Sequence, residues 1–308
     1  MMNKYVPEQL NKLAFATYNL TQVKDAIDNG DILEAAVTRC SEDLEIEVNL
    51  GIDIVGKLPF SELEYIINDR QPKAVTALSK VGKTIRFKVL SITKKGEKYE
   101  CLLSRKQAQE ECYNNFITKL KPGQVINAVP SHIEDYGVFC DIGNGIIALL
   151  PTNNISVAHL RNPKRDLRGV IKFKAVVKSI EDGRITLTHK ELLGTWDENA
   201  SKYKDGDTVP GVVREVKDYG VFVEITPNLV GLADPYPEVS ENDVVSVFIK
   251  SRNPEKMKIK LMITNKIGPK SGNIYYKYNF PESGFIKDWV YSPESSEKKI
   301  ETHFGDSV

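Results

Sequence analysis

Asp135-Tyr136-Gly137-Val138-Phe139 returns 83 positions later as Asp218-Tyr219-Gly220-Val221-Phe222. Each copy places its tyrosine thirteen residues past a glycine that opens an apolar run, Gly123 for the first and Gly206 for the second. A period of this size, with a turn and an aromatic pair kept in phase, marks a duplicated domain. The text downstream stays parallel. Asp141-Ile142-Gly143-Asn144-Gly145-Ile146-Ile147 answers Glu224-Ile225-Thr226-Pro227-Asn228-Leu229-Val230, an apolar strand, a Gly/Asn or Pro/Asn turn and a second apolar strand. That is hairpin chemistry. A further strand follows in each copy, Lys172–Val177 and Val244–Ile249, and each unit closes on an alternating strand, Arg184–Thr188 and Lys258–Met262. Four or five short strands in about seventy residues suit a small antiparallel barrel.

An earlier stretch fits the same template without its aromatic residues. Gly30-Asp31-Ile32 opens it, Val48–Gly56 supplies the hairpin, Ile85–Leu90 the next strand and Cys101–Lys106 the close. Asp43 stands thirteen residues past Gly30, and Ile46 takes the partner aromatic position. Three copies are therefore expected, the first degenerate.

The Gly-x-x-x-x-x-Val opening, the Tyr-Gly-Val-Phe turn and strand, the Gly-Leu return and the Arg-Ile-Thr-Leu-Thr ending together resemble the S1-type RNA-binding domain. That OB-fold module is named for the large RNA-binding protein of the small ribosomal subunit. The resemblance covers residues 30–267, strongly in the second and third copies and weakly in the first. It implies an all-β chain of three tandem five-stranded OB barrels with helical linkers. Family members usually carry a His shortly after the hairpin return, where Pro59, Pro151 and Asp234 stand here. They also carry an Asp before the closing strand, for which Glu181 is the nearest equivalent in the second copy.

The domain plan follows. Residues 1–29 form a helical lead, with apolar spacing through Leu10, Leu13, Ala14 and Tyr18 after Glu8 and a second helix capped by Thr21 and running through Ile27. The first barrel takes 30–106, a helical linker 107–120, the second barrel 121–193, a helical linker 194–204 and the third barrel 205–267. The linker helices are expected over Arg105–Lys119, stopping at Pro122-Gly123, and over Glu191–Lys204. The arm, 268–308, crowds Tyr275, Tyr276, Tyr278, Phe280, Phe285, Trp289 and Tyr291 together. It reads either as a hairpin folded back on the third barrel or as an added stacking or partner-docking surface. Residues beyond Pro293 are polar and read as frayed.

Bulk properties set limits. Lysine plus arginine equals aspartate plus glutamate at 42 each in 308 residues, so no global basic field exists. Charge is uneven, however: residues 121–193 hold ten basic side chains against seven acidic ones. Arg161, Lys164, Arg165, Arg168, Lys172, Lys174 and Lys178 crowd one stretch with a single acid, Asp166, whereas the first copy opens on Glu42, Asp43, Glu45 and Glu47. Cys40, Cys101, Cys112 and Cys140 form no Cys-x-x-Cys pair and read as ordinary buried thiols. Without a signal peptide or a long apolar run the chain reads as cytoplasmic, with no membrane partner.

Tyr136, Phe139, Tyr219 and Phe222 are the candidate base-stacking residues, and the resemblance implies that both rings of each pair reach the nucleic-acid face. The alternative is that the phenylalanines fill barrel cores. Arg184 and Lys258 match the family's basic residue at the start of the last strand. Arg214 and Lys217 approach Tyr219 along the first strand, Lys174 lies on the basic strand, and His132 stands four residues before Tyr136 as a rim contact or a plain surface histidine. Nothing announces catalysis. His132, His159 and His189 lack metal-site spacing, Gly143-Asn144-Gly145 is a turn, and nucleophile elbows and phosphate loops are missing. The expectation is no enzyme, no cofactor and no metal.

The expected partner is single-stranded RNA, held by stacking that tolerates any base and by phosphate contacts that release counterions. The resemblance implies mRNA handling in translation. The acidic first barrel would instead meet protein, the small ribosomal subunit or another barrel. Two alternatives stand beside this: a protein–protein scaffold that has lost RNA binding, and a regulator of RNA decay or transcription off the ribosome.

Overall fold

A computed structural model describes residues 4–8, 17–67, 71–158, 163–166, 170, 172–269, 278 and 284–305. Fifteen strands close into three barrels. The first uses β1 (Ile32–Cys40), β2 (Ile46–Gly51), β3 (Ile54–Leu58), β4 (Thr84–Lys95) and β5 (Lys98–Ser104). The second uses β6 (Val125–Glu134), β7 (Gly137–Gly143), β8 (Ile146–Pro151), β9 (Phe173–Glu181) and β10 (Arg184–Thr188). The third uses β11 (Thr208–Lys217), β12 (Gly220–Thr226), β13 (Leu229–Ala233), β14 (Asp243–Asn253) and β15 (Lys258–Pro269). In each barrel the first strand pairs with the second and the fourth, and the third runs parallel to the fifth. These are three OB-type barrels of one topology. The alternation seen in sequence is the cause: β14 buries Asp243, Val245, Val247 and Ile249 and turns the residues between them outward.

The helices depart from expectation in instructive ways. Helix α1 spans Leu20–Asn29, and its cap is Asn19, not Thr21. Asn19 accepts from the Gln22 N–H while the Gln22 side chain accepts from the Asn19 N–H, a reciprocal pair that Thr21, one residue later, does not make. Residues 9–16 of the expected helical lead lie outside the described residues, and 5–7 and 17–19 are not helical. Short α2 (Ala74–Leu78) fills the β3–β4 crossover. The first linker helix, α3 (Arg105–Asn115), gives way to a 3₁₀ turn over Ile117–Lys119. A one-turn α4 (Pro163–Asp166) precedes β9. The second linker is not one helix. A 3₁₀ turn over Lys190–Leu193 meets Gly194 at φ 82°, ψ 165°, and only then does α5 (Trp196–Ala200) begin.

The barrels are locked together by buried contacts. Between the first and second, the fully buried Arg105 at the start of α3 grips Glu8 through Nε (2.7 Å) and Nη2 (3.1 Å). The Glu8 N–H donates to Asp141 (2.7 Å), and Arg86 donates to Asn144 (2.6 Å) in the turn after β7. Burial alone would raise the Glu8 pKa, but Arg105 and Lys80 outweigh it and hold it at about 2. Gly145 has no room for a side chain, since a Cβ would stand 1.7 Å from Arg105 Nη2. The same turn one barrel later docks in the same manner. Asn228 accepts from the Ser156 hydroxyl and the Val157 N–H, both at 2.9 Å, and donates to the carbonyl of Lys190 at 2.7 Å.

The arm is a clamp. Residues Asp288–Val290 (β16) pair with Glu301–His303 (β17), so the chain past Pro293 returns as a strand rather than fraying. Ile286, Trp289, Tyr291 and Phe304 are buried in the same apolar cluster as the third barrel's core, together with Val125 and Val176 of the second barrel. The Ile286 N–H donates to Gly123 and the Val125 N–H to Gly284. Trp289 and Tyr291 are therefore unavailable as a stacking surface; Tyr275, Tyr276 and Phe280 lie outside the described residues. Of the cysteines, Cys101, Cys112 and Cys140 are buried and burial raises their thiol pKa values, whereas Cys40 is half-exposed because it ends β1 at the barrel's rim.

Candidate nucleic-acid interface

Each recurring tyrosine sits in a two-residue turn. Glu134 pairs with Gly137 across β6 and β7, and Lys217 with Gly220 across β11 and β12. A turn this tight holds the ring out at the rim, and Tyr136 and Tyr219 are 62% and 66% exposed. The glycine that follows is required by a close approach. A Cβ on Gly137 would stand 2.7 Å from the Leu150 carbonyl oxygen, and one on Gly220 2.6 Å from that of Ala233.

The phenylalanines lie in the strand, half-buried, with one edge in each ring pair. Tyr136 and Phe139 meet at 6.1 Å between centroids and 90°, Tyr219 and Phe222 at 6.3 Å and 89°. Two barrels thus hold the same T-shaped pair, a geometry aromatic rings favour. Neither phenylalanine belongs to a barrel core, because each alternates along its own strand with fully buried neighbours, Val138 and Cys140 in one and Val221 and Val223 in the other, so that its ring takes the outward face.

Cross-strand register explains the degenerate copy. The row through the second barrel reads His132, Phe139, Leu149, Thr186, and through the third Glu215, Phe222, Leu232, Lys260. In the first barrel the matching row reads Arg39, Glu47, Lys57, Leu102. Glu47, not Ile46, therefore occupies the phenylalanine's place. Ile46 is fully buried in the core, like Val138 and Val221. Residue counting slipped by one because the turn between Ser41 and Glu45 holds three residues rather than two. Lys57 bridges Glu47 (2.8 Å) and Glu45 (3.3 Å), so an ion-pair network stands where the other barrels present a ring.

The basic residues divide. Arg184 and Lys258 are exposed at the starts of β10 and β15 and line the same grooves as Phe139 and Phe222. Arg214 also lines the third barrel's groove, but its guanidinium is ion-paired to Glu224, and Lys217 is paired to Glu215 at 2.6 Å. His132 is exposed, stacks on Phe139 (6.3 Å, 27°) and contacts Glu134 at 2.6 Å. Lys174 lies on the β6–β9 side, opposite Asn127, and does not line either groove. The third barrel's groove, of about 800 Å³, also takes in Lys250 and Lys260, cations that no motif in the sequence marks. The second barrel's groove, of about 460 Å³, is walled on its far side by the first barrel and α3. Among the described residues no cluster of His, Cys, Asp or Glu is placed to hold a metal, and no helix is long and apolar enough to cross a membrane.

Comparison with known proteins gives several matches to one ribosomal protein. The chain is 30% identical over 218 residues to small ribosomal subunit protein bS1 of Staphylococcus aureus (strain COL), covering 68% of this chain and 52% of that protein. The chain is built of S1-type domains. The same protein of Staphylococcus epidermidis is 31% identical over 219 residues, again 68% of this chain and 52% of its own length. That of Leuconostoc lactis is 30% identical over 148 residues, 47% of this chain and 34% of its own. This S1-domain chain thus spans about half the length of the first two relatives. Among solved structures, a multidomain protein with nucleic acid binding domains from Streptococcus pneumoniae covers 76% of the chain and 73% of its own at 13% identity and a TM-score of 0.26. No family model matches.

Proposed function

We propose that the second and third barrels bind single-stranded RNA, with bases laid on Tyr136 and Phe139 in one and on Tyr219 and Phe222 in the other. The observation that carries this is the identical T-shaped ring pair, exposed at the same place on two barrels and opening each time on a groove with a basic residue on its floor strand. Each stacked base contributes on the order of 1–3 kcal/mol, so affinity does not require a strong basic field. Arg184 and Lys258 supply phosphate contacts, and His132 extends the second barrel's platform. Similarity to the small-subunit proteins supports mRNA handling during translation, in the cytoplasm, with the first barrel meeting protein through its ion-paired face.

The test is titration of fluorescently labelled oligo-U with the intact chain at low and high salt, beside Tyr136→Ala with Tyr219→Ala. Binding should weaken by about tenfold or more for the double variant, with an unchanged thermal midpoint. The pairing of Arg214 with Glu224 and of Lys217 with Glu215 favours the scaffold alternative, for which the intact chain would show no binding even at low salt. Co-sedimentation with small ribosomal subunits separates a role in translation from one in RNA decay or transcription.

A further inference from the structure

The second barrel's groove is not made by that barrel alone. Phe139 on β7 and Arg184 on β10 form one wall; the other carries Tyr65, from the turn after β3 of the first barrel, and Tyr113, from α3. These two rings meet each other at 5.7 Å and 48°, and both are half-exposed. Their placement is built rather than incidental. The Tyr65 N–H donates to the buried Gln109 side chain at 2.9 Å, and Gln109 and Tyr113 lie four residues apart on one face of α3. Arg105, at the head of the same helix, fixes the turn by donating to the Leu63 carbonyl at 3.2 Å and to Glu64 at 3.3 Å.

Among the described residues, the corresponding wall of the third barrel's groove carries no ring. The turn after β8 follows the same path, with a 3₁₀ turn led by a proline in each case, and puts Val157 where the first barrel puts Tyr65. That groove has cations instead: Arg214, Lys250, Lys258 and Lys260. The two grooves therefore differ in chemistry, one aromatic on both sides and the other facing its ring pair with charged side chains, of which Arg214 and Lys250 are ion-paired to Glu224 and Asp234.

We infer that Tyr65 and Tyr113 form a base-binding subsite at the junction of the first and second barrels, so that an unpaired nucleobase of RNA enters the groove between them and Phe139. The groove's volume of about 460 Å³ falls in the range that encloses a small organic group. Stacking rings on two sides favour a flat unpaired base over a duplex, whose bases present only their edges. The first barrel, which has an ion-pair network in place of its own ring, would then contribute to RNA binding through its junction. This inference rests on the RNA-binding reading above.

The experiment uses the intact chain and oligo-U carrying 5-iodouridine, with photo-crosslinks mapped by mass spectrometry and affinities measured at low salt for wild type, Tyr65→Ala, Tyr65→Phe and Tyr136→Ala with Tyr219→Ala. The expected result is crosslinks at Tyr65 or Tyr113, about tenfold weaker binding for Tyr65→Ala and recovery in Tyr65→Phe, the loss of one stacked base. Should Tyr136→Ala with Tyr219→Ala weaken binding while Tyr65→Ala binds like wild type and neither junction tyrosine crosslinks, the subsite is overturned and the barrel-face reading stands. Failure of wild type to bind at all overturns both. If Tyr65→Ala lowers the thermal midpoint, the crosslink map on the wild-type chain decides.

Discussion

Lys258 and Arg214 show how neighbours decide what a cation can do. Both line the third barrel's groove, yet Lys258 is exposed and Arg214 has a side chain only 11% exposed and is ion-paired to Glu224. A solvated lysine that meets phosphate releases a counterion, so Lys258→Ala should reduce the slope of log affinity against log salt by about one without altering stability. Arg214→Ala should do the reverse: a small change in slope and a stability loss of about 1–3 kcal/mol, because the buried Glu224 carboxylate loses its guanidinium. Salt-dependent titration and urea unfolding of the two variants distinguish these outcomes. In sequence, Lys258 by its place in the motif and Arg214 by its approach to Tyr219 look like equal candidates; only Glu224, ten residues past Arg214 and across the strand pair, separates them.

At the scale of elements, α3 does more than connect. Its first residue, Arg105, is fully buried and holds Glu8, while Glu111, two turns on, receives Lys4 at 2.8 Å and the Tyr5 hydroxyl at 2.9 Å, with Lys88 closing the group. Removing one partner of a buried pair leaves an uncompensated charge, so Arg105→Ala should cost about 3–5 kcal/mol in urea unfolding and loosen the first barrel from the second. For Glu111, burial pushes the pKa up, but hydrogen bonds from Lys4, Lys88 and Tyr5 outweigh it and hold the carboxyl at about 2, below its ordinary 4.5. A depressed carboxyl pKa contributes stability that is complete above the unfolded value and is lost as pH falls through the folded one. Thermal midpoints measured from pH 4.5 down toward about 2 should therefore fall more steeply for wild type than for Glu111→Gln. A parallel pH dependence in the two proteins would refute the role assigned to Glu111. The second linker shows the opposite design: Gly194 breaks the helix and the turn at Asn228 fills the gap.

For the whole molecule, the question is what keeps three small barrels in fixed relation. Barrels of this size bury little core each, and here the grooves and clamps between them add to it. The C-terminal hairpin joins the second and third barrels, with Ile286, Trp289, Tyr291 and Phe304 buried at that junction. Ending the chain at residue 283 should expose an apolar surface there, lower the thermal midpoint of the second and third barrels and split their unfolding from a shared transition. Calorimetry of the shortened chain is the check, and an unchanged single transition would show the clamp to be dispensable.

Local pattern was enough for much of this protein. Apolar alternation with turn residues at fixed spacing specifies strands and hairpins, so the three barrels were legible in sequence, the second and third most plainly from 136–139 and 219–222, whereas the outward facing of the phenylalanines was implied only by the family resemblance. Ring exposure follows from a tight turn at the tyrosine and strand alternation at the phenylalanine, both local events. What the chain's order did not disclose depends on partners far apart in sequence. The one-residue slip that puts Glu47 in the phenylalanine's place comes from pairing across a longer turn. The pairing of Arg214, the grip of Arg105 on Glu8 across 97 positions and the placing of Tyr65 and Phe139 on one groove arise only when separate elements close on one another. Secondary structure is written in short-range periodicity, whereas an interface between barrels is a sum of long-range contacts that no single segment encodes.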